Sequence, residues 1–442
     1  MKTFTYGQIW KVAYPVLISV LMEQLVGMTD TAFLGRVGEV ELGACALGSI
    51  FYIAVFVLGM GLGTGAQILM GRRNGSANFH EVGNIFYHSL LLLFIVAALL
   101  FVIVQLFGPW LLSQMISSHE VYVAACDYIQ WRVYGFFFAY VAIMFRAFYV
   151  ATTQTKTLTL NSVVMVTSNI IFNYILIFGK LGFPAFGIAG AAIGSVLAEA
   201  VSMVFFILYT RYRMDYAQYG LNLRPKFQHH FLRKIMSLSI WTMVQNFLSL
   251  ATWFLFFLAV EHLGERELAV SNIIRNISSF FYMTVSALAS TASTLVSNLM
   301  GQDEMDAVAP MIYKTIKLGL YILIPMSILV AFFPEFVISI YTDDTRLVLV
   351  GLGPLFVLLT SYLFTIPQRI LLSSVMGTGN TQRALWIEFV ALVIYVAYIA
   401  VIIFYYHAPL TVCWTSEYVY ALPSAVLAWW YLRGNQWRHK VL

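Results

Sequence analysis

Residues 15–38 read PVLISVLMEQLVGMTDTAFLGRVG. The stretch is long and mostly apolar, and its length predicts a helix that crosses a bilayer. It nevertheless carries Glu23 and Asp30, seven residues apart, with Gly27 between them. At about 3.6 residues per turn the two acids fall on nearly the same stripe, about two turns apart. Holding an ionised carboxylate at mid-membrane costs ~2.5–3.5 kcal/mol on insertion scales. A span that keeps Asp30 against that cost is read as using it, as a proton or cation site. The competing reading is a structural carboxylate bonded to a neighbouring helix. Glu23 is open between a wet cavity and a structural partner.

The surrounding chain agrees with a membrane setting. Of 442 residues, 61% are hydrophobic and 10% are charged, against about 25% charged in an ordinary soluble domain. The expected class is an all-α polytopic membrane protein with no soluble domain between spans. A net charge of +5 raises the question of nucleic acid, but the basic residues stand at the ends of apolar runs, where they orient spans. Nucleic acid is therefore not an expected partner, whereas the lipid bilayer is. Cys45, Cys126 and Cys413 are far apart and make neither a disulfide framework nor a metal-ligand spacing. Lys11 interrupts the N-terminal apolar run, so the first span is expected to stay in the mature protein. His80-Glu81 and His119-Glu120 lack the second histidine of a zinc-protease helix. With no nucleophile elbow and no phosphate-binding loop, an enzyme is not expected, and no cofactor beyond a coupling ion.

Twelve spans are predicted, at about 9–34, 42–71, 84–107, 122–151, 157–179, 187–210, 236–260, 268–300, 312–333, 347–376, 384–405 and 410–432. The widest gap, 211–235, is charged and contains Pro225. It is read as a cytoplasmic linker between an N-lobe, 1–210, and a C-lobe, 236–442. With the N-terminus inside, inner segments carry 17 Lys and Arg, among them Lys2, Arg224, Lys226 and Lys440; outer loops carry only Arg36, Lys180, Arg266 and Arg346. That bias predicts cytoplasmic termini. The halves repeat: 37–43, VGEVELG, matches 263–269, LGERELA, at an offset of 226, and Met70-Gly71 matches Met300-Gly301. Parallel repeats of six spans are a common transporter plan. The same offset sets Phe256 opposite Asp30, so the architecture at that position accepts an aromatic ring and the acid is there for chemistry.

In the fifth span Ser162, Asn169 and Asn173 lie on one helical face at spacings of seven and four. Two amides one turn apart can offer oxygens to a cation or bond a carboxylate; helix–helix glue is the plainer alternative. An offset of 225 puts Ile394 and Tyr398 in their places, so the polar set is lopsided in the same direction as Asp30. Gly59, Gly61, Gly63 and Gly65 follow no strand and read as close helix packing rather than a dinucleotide loop. The fourth span, with Tyr128, Trp131, Arg132, Tyr134 and Arg146, offers an aromatic wall suited to flat cations or ordinary interfacial packing. Arg132, Arg146, Arg275 and Arg369 are expected to snorkel or to pair with Glu199 or Glu388.

These residues together resemble the multidrug and toxic compound extrusion (MATE) family over nearly the whole chain. The carriers are Pro15 and Asp30, the turn Gly35-Arg36-Val37-Gly38, Asn169 and Asn173, the run from Gly187 through Gly190, and Gly377-Thr-Gly-Asn-Thr381. The resemblance implies two pseudo-symmetric six-helix lobes in a V around a central cleft. It implies an antiporter of the bacterial inner membrane that exports amphipathic, often cationic drugs in exchange for H⁺ or Na⁺, working as a monomer. It implies a coupling site at Asp30, Asn169 and Asn173, with Tyr128 and Glu23 as neighbours and Pro15 as a helix hinge. Some relatives have Asp where this chain has Asn173. Others carry acids in the seventh and tenth spans, where this chain has Gln245 and, near Thr365, no acid. Coupling is therefore expected in the N-lobe alone. A lipid-linked precursor flippase of related architecture is the alternative.

Overall fold

The structure is a computed structural model that describes residues 4–116, 118–221 and 227–438. Lys2, Arg224, Lys226 and Lys440, used above for orientation, and Pro225 of the linker lie outside the described residues. Among the described residues every regular element is helical. The first seven helices are α1 (Tyr6–Leu34), α2 (Glu39–Gly75), α3 (Phe79–Met115), α4 (His119–Arg132), α5 (Gly135–Ala151), α6 (Lys156–Phe178) and α7 (Gly187–Arg213). There follow α8 (His229–Glu261), α9 (Glu265–Gly301), α10 (Val308–Phe332), α11 (Pro334–Ser339), α12 (Thr345–Gly377), α13 (Thr381–Ile399), α14 (Leu410–Trp414) and α15 (Ser416–Arg433).

Among the described residues ten helices are long and apolar enough to cross a membrane, and eleven spans result if the bent pair α4–α5 counts as one. The expected single span 122–151 is thus a broken one, bent by 51°. Gly135 opens α5 just after the break, and a Cβ there would lie 2.3 Å from both Arg132 Nη1 and Glu199 Oε2, so the glycine makes room for that ion pair. The last expected span, 410–432, is divided between α14 and α15. Its α15 part packs against α12 and α13 and carries Glu417, which is half-buried. Burial runs opposite to that of a soluble protein. The strongly apolar α3 keeps only 17% of its span buried, and the more polar α9 keeps 72%. Leu99, Leu106, Phe107 and Trp110 of α3 all face outward, the pattern expected where lipid replaces water as solvent.

The chain forms two compact units. One is Ile18–Met243; the other joins Met1–Leu17 to Val244–Leu442. This division differs from the one drawn at 211–235, because α1 and α8 each contribute to both units. The start of α1 is held by its packing: Ile9 and Ala13 sit in the core built by α9, α10, α12 and α13, and Lys314 Nζ donates to the Phe4 carbonyl at 2.8 Å. The start of α8 is held by the glycines of α2. A Cβ on Gly61 would lie 2.6 Å from the Met243 backbone, and one on Gly65 2.2 Å from Ser239 Oγ. Thr242 Oγ1 donates to the Gly61 carbonyl at 2.6 Å. Pro15 lies inside α1, which runs unbroken from Tyr6 to Leu34, two residues before the units divide.

Candidate functional site

Asp30 lies on the α1 face that meets α6 and α7 and is 7% exposed. Asn173 Nδ2 donates to Asp30 Oδ1 at 2.5 Å, and Ser195 Oγ donates to Asp30 Oδ2 at 3.0 Å. Asn173 Nδ2 also donates to Asn169 Oδ1 at 3.2 Å, and Asn169 Nδ2 to Ser195 Oγ at 3.1 Å. The four side chains form a closed ring from three helices. Asn169 and Asn173 share the inner face of α6 because they stand four residues apart, and both are fully buried. Asn173 reaches Asp30 because α7 has no side chain in its way: a Cβ on Gly194 would lie 2.2 Å from Asn173 Oδ1. Among the described residues Asp30 has no ion-pair partner within 4 Å.

The donor set suits a small cation. Asn173 Oδ1 is buried with no hydrogen-bond partner, and an unpaired buried acceptor costs about 1–3 kcal/mol. It sits on the amide that already touches the carboxylate. Turning that amide over would present a carbonyl oxygen to a proton on Asp30 or to a Na⁺ shared with the carboxylate, Asn169 Oδ1 and Ser195 Oγ. All of these are hard oxygen ligands.

The other named residues lie elsewhere. Glu23 Oε1 accepts from Arg146 Nη1 at 2.6 Å, with the glutamate side chain 44% exposed. Arg146 Nη2 continues to Ser19 Oγ at 3.4 Å, which accepts from Ser162 at 2.9 Å. Glu23 thus belongs to an arginine cluster apart from the ring at Asp30. Tyr128 is buried and its hydroxyl meets Ser49 Oγ at 3.4 Å, with no bond to Asp30. Arg132 grips Glu199 through both guanidinium nitrogens, at 2.6 and 3.0 Å, and lies 3.9 Å from the Tyr52 ring centroid. Among the described residues Glu388 has no arginine in such a grip.

Ser195 is the ring member that sequence reasoning missed. On α7, Ser195, Glu199 and Ser202 stand at spacings of four and three, one polar stripe of a helix. Each finds a separate partner: Asp30, Arg132 and Asn161. That periodicity was a usable signal, but the partner of each member depends on which helix packs opposite.

The MatE family model matches residues 15–175 and again residues 242–402. The chain belongs to the MatE family. Its two matches are displaced by 227 (242 less 15), so each repeat is one copy of the family's unit. A probable multidrug resistance protein NorM of Photorhabdus laumondii is 23% identical over 377 residues, covering 85% of this chain and 82% of its own. Among solved structures, an outward-facing multidrug resistance MATE transporter of the MOP superfamily superposes with a TM-score of 0.89 at 18% identity, covering 97% of this chain and 95% of its own. A MOP superfamily transporter of Pyrococcus furiosus, described as having a binding pocket of reverse polarity, gives 0.87 at 18% identity, with coverage of 97% and 95%. The MatE assignment makes the protein a multi-pass membrane transporter and not an enzyme.

Proposed function

We propose that this MatE protein is a secondary antiporter that exports amphipathic, often cationic drugs across the bacterial inner membrane in exchange for inward H⁺ or Na⁺. Both termini are cytoplasmic in this reading, from the bias in Lys and Arg, and the working unit is a monomer. The observation that carries it is the Asp30 carboxylate, buried among neutral donors from α6 and α7 with no arginine beside it. Arg132 acts on that carboxylate only through space, its direct contacts are all dipoles, and a cation is its natural counter-charge.

Occupation changes what Asp30 asks of its neighbours. The ionised carboxylate accepts from Asn173 and Ser195. A protonated one must donate, and Asn173 Oδ1 is the buried acceptor without a partner. Uptake of the ion therefore turns the Asn173 amide and resets the Asn169–Ser195 bond that ties α6 to α7. A membrane potential supplies ~2.3 kcal/mol per charge per 100 mV to drive such a cycle. The drug moves as the cycle's counter-substrate. A flippase for pyrophosphate lipids needs free cationic groups. Of the four arginines in or near spans, Arg132 and Arg146 are held by Glu199 and Glu23; among the described residues only Arg275 and Arg369 of the four lack an acid within 4 Å, which disfavours that alternative.

The test is drug efflux from proteoliposomes with the Na⁺ and proton gradients imposed one at a time. One gradient is expected to drive efflux, and Asp30→Asn to abolish the driven component while the protein stays folded. Efflux by Asp30→Asn at the wild-type rate would refute the reading.

A further inference from the structure

Glu199 of α7 stands one turn from Ser195, whose hydroxyl donates to Asp30 Oδ2. Residues four apart share a helical face, so Glu199 and the Ser195–Asp30 contact lie on one stripe of α7. Arg132, the last residue of α4, gives both terminal guanidinium nitrogens to Glu199. Among the described residues it makes no ion pair with Asp30 within 4 Å. The two paired side chains are only 12% and 15% exposed. A parallel, two-pronged grip is the strongest geometry an arginine can make with a carboxylate. The Tyr52 ring of α2 backs the guanidinium at 3.9 Å, and Tyr52 stacks on Phe136 of α5 with centroids 4.8 Å apart. The arginine is thus fixed to α7 and supported by α2 and α5.

Arg132 is nevertheless close enough to act on Asp30 through space, and so is Glu199. Cys45 of α2 and Tyr128 of α4 also feel the field of Asp30, while α6 offers it only amides. One arginine and two acids leave this group one positive charge short. In the efflux reading that shortfall is what the coupling ion fills. Without Glu199 the arginine would fill it instead. A guanidinium keeps its proton under all ordinary conditions, and its attraction for a carboxylate grows where water is scarce.

We propose that Glu199 is a positioning residue for the Asp30 site: it occupies Arg132, keeps the arginine from becoming the counter-charge of Asp30, and so leaves that role to the coupling ion. The ion pair ties α4 to α7 and at the same time takes a competing cation out of play. The inference deepens the efflux reading and rests on it for the ion-binding role of Asp30.

Dicyclohexylcarbodiimide, an apolar reagent for protonated carboxyls, tests this on the full chain in liposomes with no drug present. Labelling of Asp30, located by peptide mass spectrometry, reads its proton, and loss of label when Na⁺ replaces choline reads Na⁺. In Glu199→Gln the ion concentration at half-occupancy is expected to rise roughly tenfold or more, because an unanswered guanidinium then faces Asp30. The double variant Arg132→Met/Glu199→Met should return it close to the wild-type value, and Arg132→Met alone should not raise it. A pair that only braces the helices would impair all three variants alike. An unchanged ion requirement in Glu199→Gln, or a double variant as impaired as Glu199→Gln, overturns the proposal. A raised requirement in Arg132→Met overturns it as well, which keeps the test decisive if Glu199→Gln does not fold. Wild-type Asp30 that responds to neither ion sinks the efflux reading together with this inference, whereas a responsive wild type with an unchanged Glu199→Gln sinks this inference alone.

Discussion

One layer of polar residues, repeated in the two units, is wired in opposite ways. In the Ile18–Met243 unit the acid is Glu23 of α1; it is partly exposed and bound to Arg146, and α6 contributes only Ser162. In the other unit α8 contributes Gln245 and Ser249, and the acid, Glu388, comes from α13 and is fully buried. At the position of Asp30 the contrast reverses: the equivalent Phe256 packs edge-on against Trp414, with centroids 5.3 Å apart. The lesson is that a carboxylate in a membrane helix has two distinct uses. One answered by an arginine is a strut. One met only by amides and hydroxyls, like Asp30, is left without a directly bonded counter-charge.

That contrast can be broken by substitution. Asp30→Asn should have the largest effect, a complete loss of ion-driven efflux with a normal elution profile; retained coupling would place Asp30 among the struts. Arg132→Met strands Glu199 in an apolar setting, and breaking a buried pair from one side typically costs about 3–5 kcal/mol. It should show as a marked fall in thermal unfolding temperature, largely recovered by the double variant Arg132→Met/Glu199→Met. Gly194→Ala puts a methyl group where Asn173 Oδ1 lies. Overpacking of this kind costs about 1–3 kcal/mol, and efflux should drop towards that of Asn173→Ala while the fold persists. Glu23→Gln should do least. Half-exposed ion pairs are worth about 0–1 kcal/mol, so both unfolding temperature and efflux should stay near wild type, and a coupling defect there would erase the distinction drawn above.

Membrane class, helical fold and repeat were readable from residue order because each is local or periodic. Apolar runs mark helices wherever they pack, and an offset match needs no coordinates. Asn169 and Asn173 were readable as one face for the same reason: helical geometry fixes residues four apart. Asp30 stood out through the cost of its charge in lipid. Ser195, by contrast, joined the site only because α7 lies against α6 at Gly194. The glycine at position 135 makes room for an ion pair between residues 67 apart in sequence. The change of unit within α1 and α8 follows from which core takes Ile9 and which glycines meet Met243. Nothing in the sequence ranked Glu388 above Glu23, since each is an acid in an apolar span. Their difference lies in what stands opposite, an arginine for one and an amide with two hydroxyls for the other. Helical periodicity places a side chain on a face, but its counter-charge comes from other helices, and only packing brings those together.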